Sequence, residues 1–458
     1  MSERDPRSVE RTASRYAAAL LRALGTATAP DDAVDLPPEH PALTAARCGL
    51  TALTGMAAGE PQVCPAPLAA AARGTLAALA RLAPRAAFDG VDGAALLTER
   101  AAIFGHRRQG AISPGGSSRL LATCDGALAL NLARDDDATL LPAWLEAEVA
   151  SDWPSVAAAV APHTMHGLVE RGRLLGLAVA PVVPPSSRFT PWCPELTVGA
   201  SPPIAPLPTR RPRVVDLSSL WAGPLCTQLL QCCGADVVKV ESTRRPDGAR
   251  LGPAAFFDLL HAGKRSVALD FASPVGRRQL QALIAQADIV IEASRPRALQ
   301  QLGIDAEALV AQRPGLTWIS LTGYGRVEPQ AQWIAYGDDA GVAAGLSGLM
   351  RSVSGQALFV GDAIADPIAG LHAALAAWSG WCRGGGGLRT VALVDVLRHV
   401  IGFEAPAGDE GWRERARAWR AVAPASTVQA PRARAAAGIA PALGADTAAV
   451  WADWGLTC

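Results

Sequence analysis

Lysine is almost absent from this chain. Its 458 residues hold two, Lys239 and Lys264, against about forty arginines. A bias of that size is a habit of composition. Where lysine persists, either the position needs a compact point charge that the planar arginine fork does not copy, or the residue is incidental on a solvated face. Cysteine is scarce, nine in all, and no pair is spaced C-x-x-C. That excludes a disulfide framework and points to a reducing, cytoplasmic setting, with the adjacent Cys232 and Cys233 as core residues. Net charge is +0, which argues against nucleic acid or an anionic membrane as a main partner. No apolar run reaches the roughly 18 residues of a membrane span, and the charged start M-S-E-R-D-P-R lacks a signal-peptide core. There is no G-x-S-x-G elbow. His163 and His166 lie three apart without a third ligand spaced to them, so no metal site is expected.

A chain that is 50% hydrophobic and 18% charged, at this length, is expected to form two or three globular domains. Residues 1–40 read as an N-terminal tail and linker with one helix around Ala13–Leu24. Residues 41–180 join an Ala/Leu-rich helical segment, 41–105, to a smaller α+β region. In that region S-P-G-G-S is a turn, and R-L-L-A-T-C-D-G-A-L-A-L-N-L-A is strand, turn and strand. Residues 181–212 form a Pro-rich linker. From 213 to 402 strand and helix alternate: R-V-V-D-L, then a helix opened by Gly223-Pro224 and stopped by Gly234, then A-D-V-V-K-V-E, S-V-A-L-D, A-D-I-V-I-E and L-T-W-I-S-L-T-G-Y-G. Alternation of this kind gives an α/β fold with a mainly parallel, Rossmann-like sheet, and ligands lie beyond the carboxyl ends of its strands. Residues 403–458 read as a C-terminal tail and terminal helix.

The first strand–helix turn, S-S-L-W-A-G-P-L-C-T, has one glycine where a dinucleotide fingerprint has three, which argues against a nicotinamide enzyme. The strongest chemical feature is V-G-D-A-I-A-D-P-I-A-G, residues 360–370. Asp366 before Pro367 and an apolar helical run reads as a helix cap. The same place, where the helix dipole lowers a carboxylate's pKa, also suits a carboxylate nucleophile. A weak repeat relates the run from Cys48 to that from Gly345. Registering Gly74 on Gly370 puts Ala70 opposite Asp366.

Taken in order, R-V-V-D-L-S-S-L-W-A-G-P-L, A-G-K-R-S-V-A-L-D, A-D-I-V-I-E-A-S-R-P-R, S-L-T-G-Y-G and V-G-D-A-I-A-D-P-I-A-G resemble the family III CoA-transferases, the family of formyl-CoA transferase, carnitine CoA-transferase and α-methylacyl-CoA racemase. The resemblance covers residues 213–402. Residues 111–180 are similar to the family's small domain, which normally follows the catalytic domain and here precedes it, a permuted order. The resemblance implies a catalytic CoA-binding domain at 213–402, with acyl-CoA and a carboxylic acid as substrates and coenzyme A carried between them. It makes Asp366 the catalytic nucleophile, forming an aspartyl-CoA intermediate. It also places CoA contacts at Trp221 and Ala222, at Thr243 and Arg244 with Arg245, at His261 and Lys264, at Ala293, Ser294, Arg295 and Arg297, and at Thr322, Gly323 and Tyr324. Two departures stand out. A-S-R, residues 293–295, replaces the family's N-F in the loop of Ala293 to Arg297, and A-Y-G-D-D-A-G-V lacks the histidine base of the racemase branch. A racemase or isomerase and a non-catalytic CoA-binding subunit are the alternatives. The family implies an interlocked homodimer, and the apolar face of 41–105 suits such an interface. A chain whose halves pair internally as a pseudo-dimer is the other outcome.

Overall fold

The computed structural model describes residues 9–26, 34–84, 86–198 and 211–456. The expectations for residues 1–8 and for the middle of the Pro-rich segment, 199–210, lie outside the described residues. The front of the chain is helical: α1 (Thr12–Ala23), α2 (Pro41–Arg47), α3 (Leu68–Leu82) and α4 (Glu99–Phe104). A small antiparallel sheet follows, β1 (Ser118–Ala122), β2 (Ala127–Asn131) and β3 (Ala178–Pro181). The expected hairpin is there, with a third strand added after α5 (Met165–Leu175). This sheet and its helices bury a core of their own around Leu128, Trp144, Val156 and Val179.

The large sheet has seven strands in the order β4 (Glu195–Val198), β10 (Gly387–Ala392), β9 (Thr317–Thr322), β8 (Ile289–Glu292), β5 (Arg213–Leu217), β6 (Asp236–Ser242), β7 (Arg265–Leu269). Six run parallel. β4 pairs antiparallel to β10 at one edge. Chain order therefore runs outward from β5 through β6 and β7, then returns to the other side of β5 through β8, β9 and β10. The reversal falls between β5 and β8, where such sheets open a crevice at their carboxyl ends. V-V-D-L, V-V-K-V and I-V-I are continuous rather than alternating runs because parallel strands are covered on both faces. β4 lies inside the segment read as a linker, and Trp192 just before it is buried. Trp192 thus ties this described part of the segment to the core.

Crossing between the strands and following them are α6 (Ala222–Cys232), α7 (Ala254–His261), α8 (Gly337–Ala343), α9 (Ala365–Cys382), α10 (Leu393–Gly402) and α11 (Thr447–Trp454). One face of the sheet is covered by α11, with Val450, Trp451 and Trp454 packed among Val238, Val267 and Leu283. The other face joins the front helices in a single core that runs from Tyr16, Leu20 and Leu79 to Ala222, Leu371 and Leu375. The apolar face of 41–105, expected to mark contact with a second chain, is covered within this chain by α9. Tyr16 Oη lies 2.8 Å from His372 Nε2, and the Trp378 indole donates to Leu82 O at 3.1 Å. Among the described residues no helix is long and apolar enough to cross a membrane.

Candidate active site

α9 is apolar around its whole circumference, and a helix of that composition is stable only inside a core. Every residue from Ala365 to Trp381 is buried except Asp366, which keeps partial exposure. The helix starts at Ala365 with Ile364 in the cap position, so Asp366 belongs to the first turn and is not the expected cap. The reason lies one step earlier. Ala363 adopts a left-handed φ of 44°, an uncommon conformation for a residue with a Cβ. Asp338 holds it there by accepting the Ala363 N–H at 2.8 Å, and the Asp366 N–H donates to Ala363 O at 3.0 Å.

Four carboxylates converge here: Asp338 and Asp339 from α8, Asp362 from the loop before α9, and Asp366. Burial pushes the Asp366 pKa up to about 7, Arg100 opposes that, and the three neighbouring acids add to it. The expectation that the helix terminus would keep this pKa low is therefore reversed. Desolvation and like charge outweigh a dipole term of about 1 kcal/mol. Asp339 is pushed to about 7, chiefly by burial, although Asn131 Nδ2 donates to it at 2.9 Å and the Tyr336 N–H at 3.0 Å. Asp338 is raised to about 6 by burial and by Asp362.

Two side chains from the front helices complete the cluster. Arg100 Nη1 donates to Asp362 Oδ1 at 2.7 Å, and His106 Nδ1 lies 3.1 Å from Asp362 Oδ2. Nothing local in T-E-R-A-A-I-F-G-H marked these residues, because their partner is more than 250 positions away. The S-P-G-G-S turn lies against them. A Cβ on Gly115 would sit 3.3 Å from Arg100 Nη2, and the Ser113 side chain hydrogen-bonds Asp338. A row of edge-to-face rings, Phe104 on Phe256 and Phe256 on Trp221, runs from here to the loop after β5.

The predicted CoA contacts divide into two groups. Thr243 and Arg244 after β6, Ala293, Ser294, Arg295 and Arg297 after β8, and Thr322, Gly323 and Tyr324 after β9 all lie at the carboxyl ends of the strands, beside the reversal. Thr243, Arg244, Ala293, Arg295 and Arg297 are exposed. Arg244 pairs with Asp270 at 2.9 Å. The Tyr324 ring lies under the Arg173 guanidinium from α5, at 5.2 Å.

Lys264, His261, Trp221 and Ala222 do not reach a surface. Lys264 is 3% and His261 1% exposed. Lys264 Nζ is held by Asp216 at 3.2 Å, Pro224 O at 3.0 Å and Thr227 Oγ1 at 2.7 Å. Burial lowers its pKa to about 8 despite Asp216. Lys239 meets Ser218 O at 2.8 Å and Asp247 at 2.9 Å. Asp247 in turn accepts the Leu220 N–H at 3.0 Å. Lys239 is thus a buried prop for the loop 218–221 and Lys264 for the start of α6, and neither Lys264 nor His261, where CoA contacts were expected, faces the surface. At Lys264 a single ammonium meets three acceptors, a compact point charge that the planar arginine fork does not copy. Trp221 is turned inward at 2% exposure, and the loop presents Ser219 and Leu220, the latter 43% exposed at φ 70°. His163 and His166 stay apart from all of this, and His166 is an exposed partner of Glu170.

The parallel sheet thus reverses its order beside exposed arginines, and Asp366 keeps partial exposure in an otherwise buried helix. Residues 212–433, just under half of the chain, match the profile of CoA-transferase family III. Succinate–glutarate CoA-transferase of Agrobacterium fabrum is 33% identical over 220 residues, 43% of this chain and 54% of the relative. Succinyl-CoA–D-citramalate CoA-transferase of Chloroflexus aurantiacus is 31% identical over 179 residues, 38% of this chain and 44% of the relative. Formyl-CoA:oxalate CoA-transferase of Afipia carboxidovorans is 33% identical over 170 residues, covering 36% and 40%. The chain therefore spans about half or less of the length of these curated relatives. A CaiB/BaiF family protein of Brucella suis superposes on 43% of this chain and 55% of its own at 32% identity, with a TM-score of 0.37.

Proposed function

We propose that this chain transfers coenzyme A from an acyl-CoA thioester to a carboxylic acid, with Asp366 as the nucleophile. The observation that carries the reading is the exposure pattern of α9: in a helix otherwise buried from Ala365 to Trp381, Asp366 alone keeps partial exposure. The family match and the Rossmann-like strand order support it.

An Asp366 carboxylate oxygen attacks the donor's thioester carbon, the C–S bond breaks, and CoA leaves as a thiolate from a mixed anhydride. The thiolate attacks the Asp366 side-chain carbonyl carbon, releasing the donor acid and forming an aspartyl-CoA thioester. The acceptor carboxylate displaces the thiolate in turn, giving a second anhydride. Attack by the thiolate on the acceptor's acyl carbon yields the new thioester and frees Asp366. Each step replaces one difficult exchange by an acyl transfer between good leaving groups. Arg244, Arg295 and Arg297 supply forks for the phosphates of CoA. Residues 111–180 act as the small domain in permuted order, and a reducing, cytoplasmic setting fits the free cysteines.

The test is intact mass spectrometry after incubation with a panel of acyl-CoA esters and hydroxylamine. A hydroxamate at Asp366, formed only when an acyl-CoA is present, is the expected result. Exchange of CoA between acids without that adduct would remove the covalent route. CoA binding without exchange would favour the non-catalytic subunit.

One observation favours a second reading. His106, held through Nδ1 by Asp362, brings to the site the histidine that A-Y-G-D-D-A-G-V lacks. A racemase would use its other nitrogen as base, and deuterium uptake at Cα of a 2-methylacyl-CoA would report it.

A further inference from the structure

Residues 40–74 and 336–370 align without a gap. His40 falls on Tyr336, Gly49 on Gly345, Gly59 on Gly355 and Gly74 on Gly370, each pair 296 positions apart as 74 and 370 are. The structure repeats with the sequence. α2 falls on α8 residue for residue. Gly49 and Gly345 are both left-handed, at φ 90° and 105°. A Cβ on either would lie 2.7 Å from the Cα of a distant proline, Pro431 for Gly49 and Pro185 for Gly345. Gly74 and Gly370 each admit a carbonyl from the first turn of the helix crossing them. Ala13 O of α1 would be 2.4 Å from a Cβ on Gly74, and Ala222 O of α6 would be 2.6 Å from one on Gly370. Chance similarity of Ala-rich helices does not reproduce two such pairs of close approaches in one register.

The same register sets Ala42 opposite Asp338, Leu43 opposite Asp339, Ala66 opposite Asp362 and Ala70 opposite Asp366. All four acids are missing from the first copy. The stretch that follows the first copy supplies Arg100 and His106 instead, and both reach across to Asp362 of the second.

We infer that residues 40–74 are a second copy of the unit around Asp366 that has shed its own acids, and that Arg100 and His106, in the stretch that follows it, position Asp362 for the surviving site from within the same chain. Arg100 is the cation set against the cluster. Asp366 is faced by Arg100 from α4, by Asp338 and Asp339 from α8, and by Asp362 from its own loop. His106 bonds Asp362 on the side opposite Arg100's contact, one partner per oxygen. Without the clamp, Asp362 would be free to swing, and the charge opposing proton uptake at Asp366 would be lost. The inference rests on Asp366 being the reactive group for its catalytic meaning, yet the clamp itself is tested without turnover.

The experiment uses the full chain. The difference in stability between the chain and its Asp366→Asn variant, followed from low to high pH, reports the titration of Asp366 alone. The same difference is then measured in Arg100→Met, Arg100→Gln, Arg100→Lys and His106→Leu backgrounds. Arg100→Met is expected to move the midpoint upward by about one pH unit, since an opposing charge at this range is worth one to three. Arg100→Gln, which keeps a donor without the charge, should move it nearly as far and guards against a failure of the methionine variant to fold. Arg100→Lys should restore most of it, and His106→Leu should move it the same way by less. A midpoint unmoved in both neutral variants overturns the inference. So does a midpoint in the parent that shifts upward on roughly a hundredfold dilution, which would put the clamp between chains. Absence of any CoA transfer would sink the proposed reaction while leaving these midpoints readable.

Discussion

Gly337 and Asp366 share one space: a Cβ on Gly337 would lie 2.2 Å from Asp366 Oδ2 and 2.3 Å from Ala363 O. The carboxylate occupies the volume that a side chain at the start of α8 would fill. Gly337→Ala should therefore displace Asp366 while leaving its chemistry intact. We expect a loss of transfer of about a hundredfold, as misplacement by about an ångström produces, with stability lowered by about 1–3 kcal/mol. Steady-state kinetics beside a thermal melt checks both, and a fully active variant would mean Asp366 is not where the reaction occurs.

Removing the acid should stabilise the fold at high pH. The folded pKa of Asp366, about 7, lies above its ordinary 3.8. The folded chain thus holds this proton more tightly, and the stability so gained is complete below about pH 4 and lost as pH rises through 7. Asp366→Asn carries no charge at any pH. It should exceed the parent at pH 8 by on the order of 2 kcal/mol, less than the full shift implies because the group is partly exposed. Melts of the two proteins should converge toward pH 4.

The rate should titrate in the opposite sense. Only the ionised carboxylate attacks, so kcat/KM should fall about tenfold per unit on the acid side of the Asp366 midpoint and level off above it. A profile flat from pH 5 to 8 would place the nucleophile elsewhere.

Lys264 should behave as a structural residue. Its ammonium is fully buried against Asp216. Lys264→Ala strands that carboxylate in the interior, at a cost of about 3–5 kcal/mol. Loss of folded protein is the expected result, and Lys264→Arg should not rescue it. A well-folded Lys264→Ala with only a raised KM for acyl-CoA would return the lysine to ligand binding.

The exposed arginines should show the converse. Arg295→Ser with Arg297→Ser should raise KM for acyl-CoA and leave the melting temperature within about a degree, since surface changes away from packed features cost under about 0.5 kcal/mol. An unchanged KM would move the phosphates to another loop.

Most of the α/β region was legible because its signals are local. R-V-V-D-L, S-V-A-L-D and A-D-I-V-I-E became β5, β7 and β8. Gly234 ends α6 at φ 98° as its position suggested. Asp366 stood out through Pro367 and the apolar run behind it. The unread parts depend on distant partners. G-L-R-T-V-A follows a run of glycines and carries a charged Arg389, so it does not announce β10, and E-L-T-V becomes β4 only because β10 offers it an edge. Local pattern makes Lys264 a surface charge, and only Asp216, Thr227 and Pro224 O, gathered by the fold, make it an interior one. Arg100 and His106 acquire meaning from Asp362 alone.

The constant register between the two helical units has a consequence for how such a protein can change. In an assembly of identical subunits every substitution is made twice, so a residue useful on one side of the axis must be tolerated on the other. Two copies joined in one chain escape that constraint. Ala70 fills space where the second unit holds Asp366, and Arg100 can be chosen for what it does across the boundary without appearing in both halves. Division of labour of this kind leaves one such buried carboxylate cluster per chain, and it allows the other half to drift toward pure support.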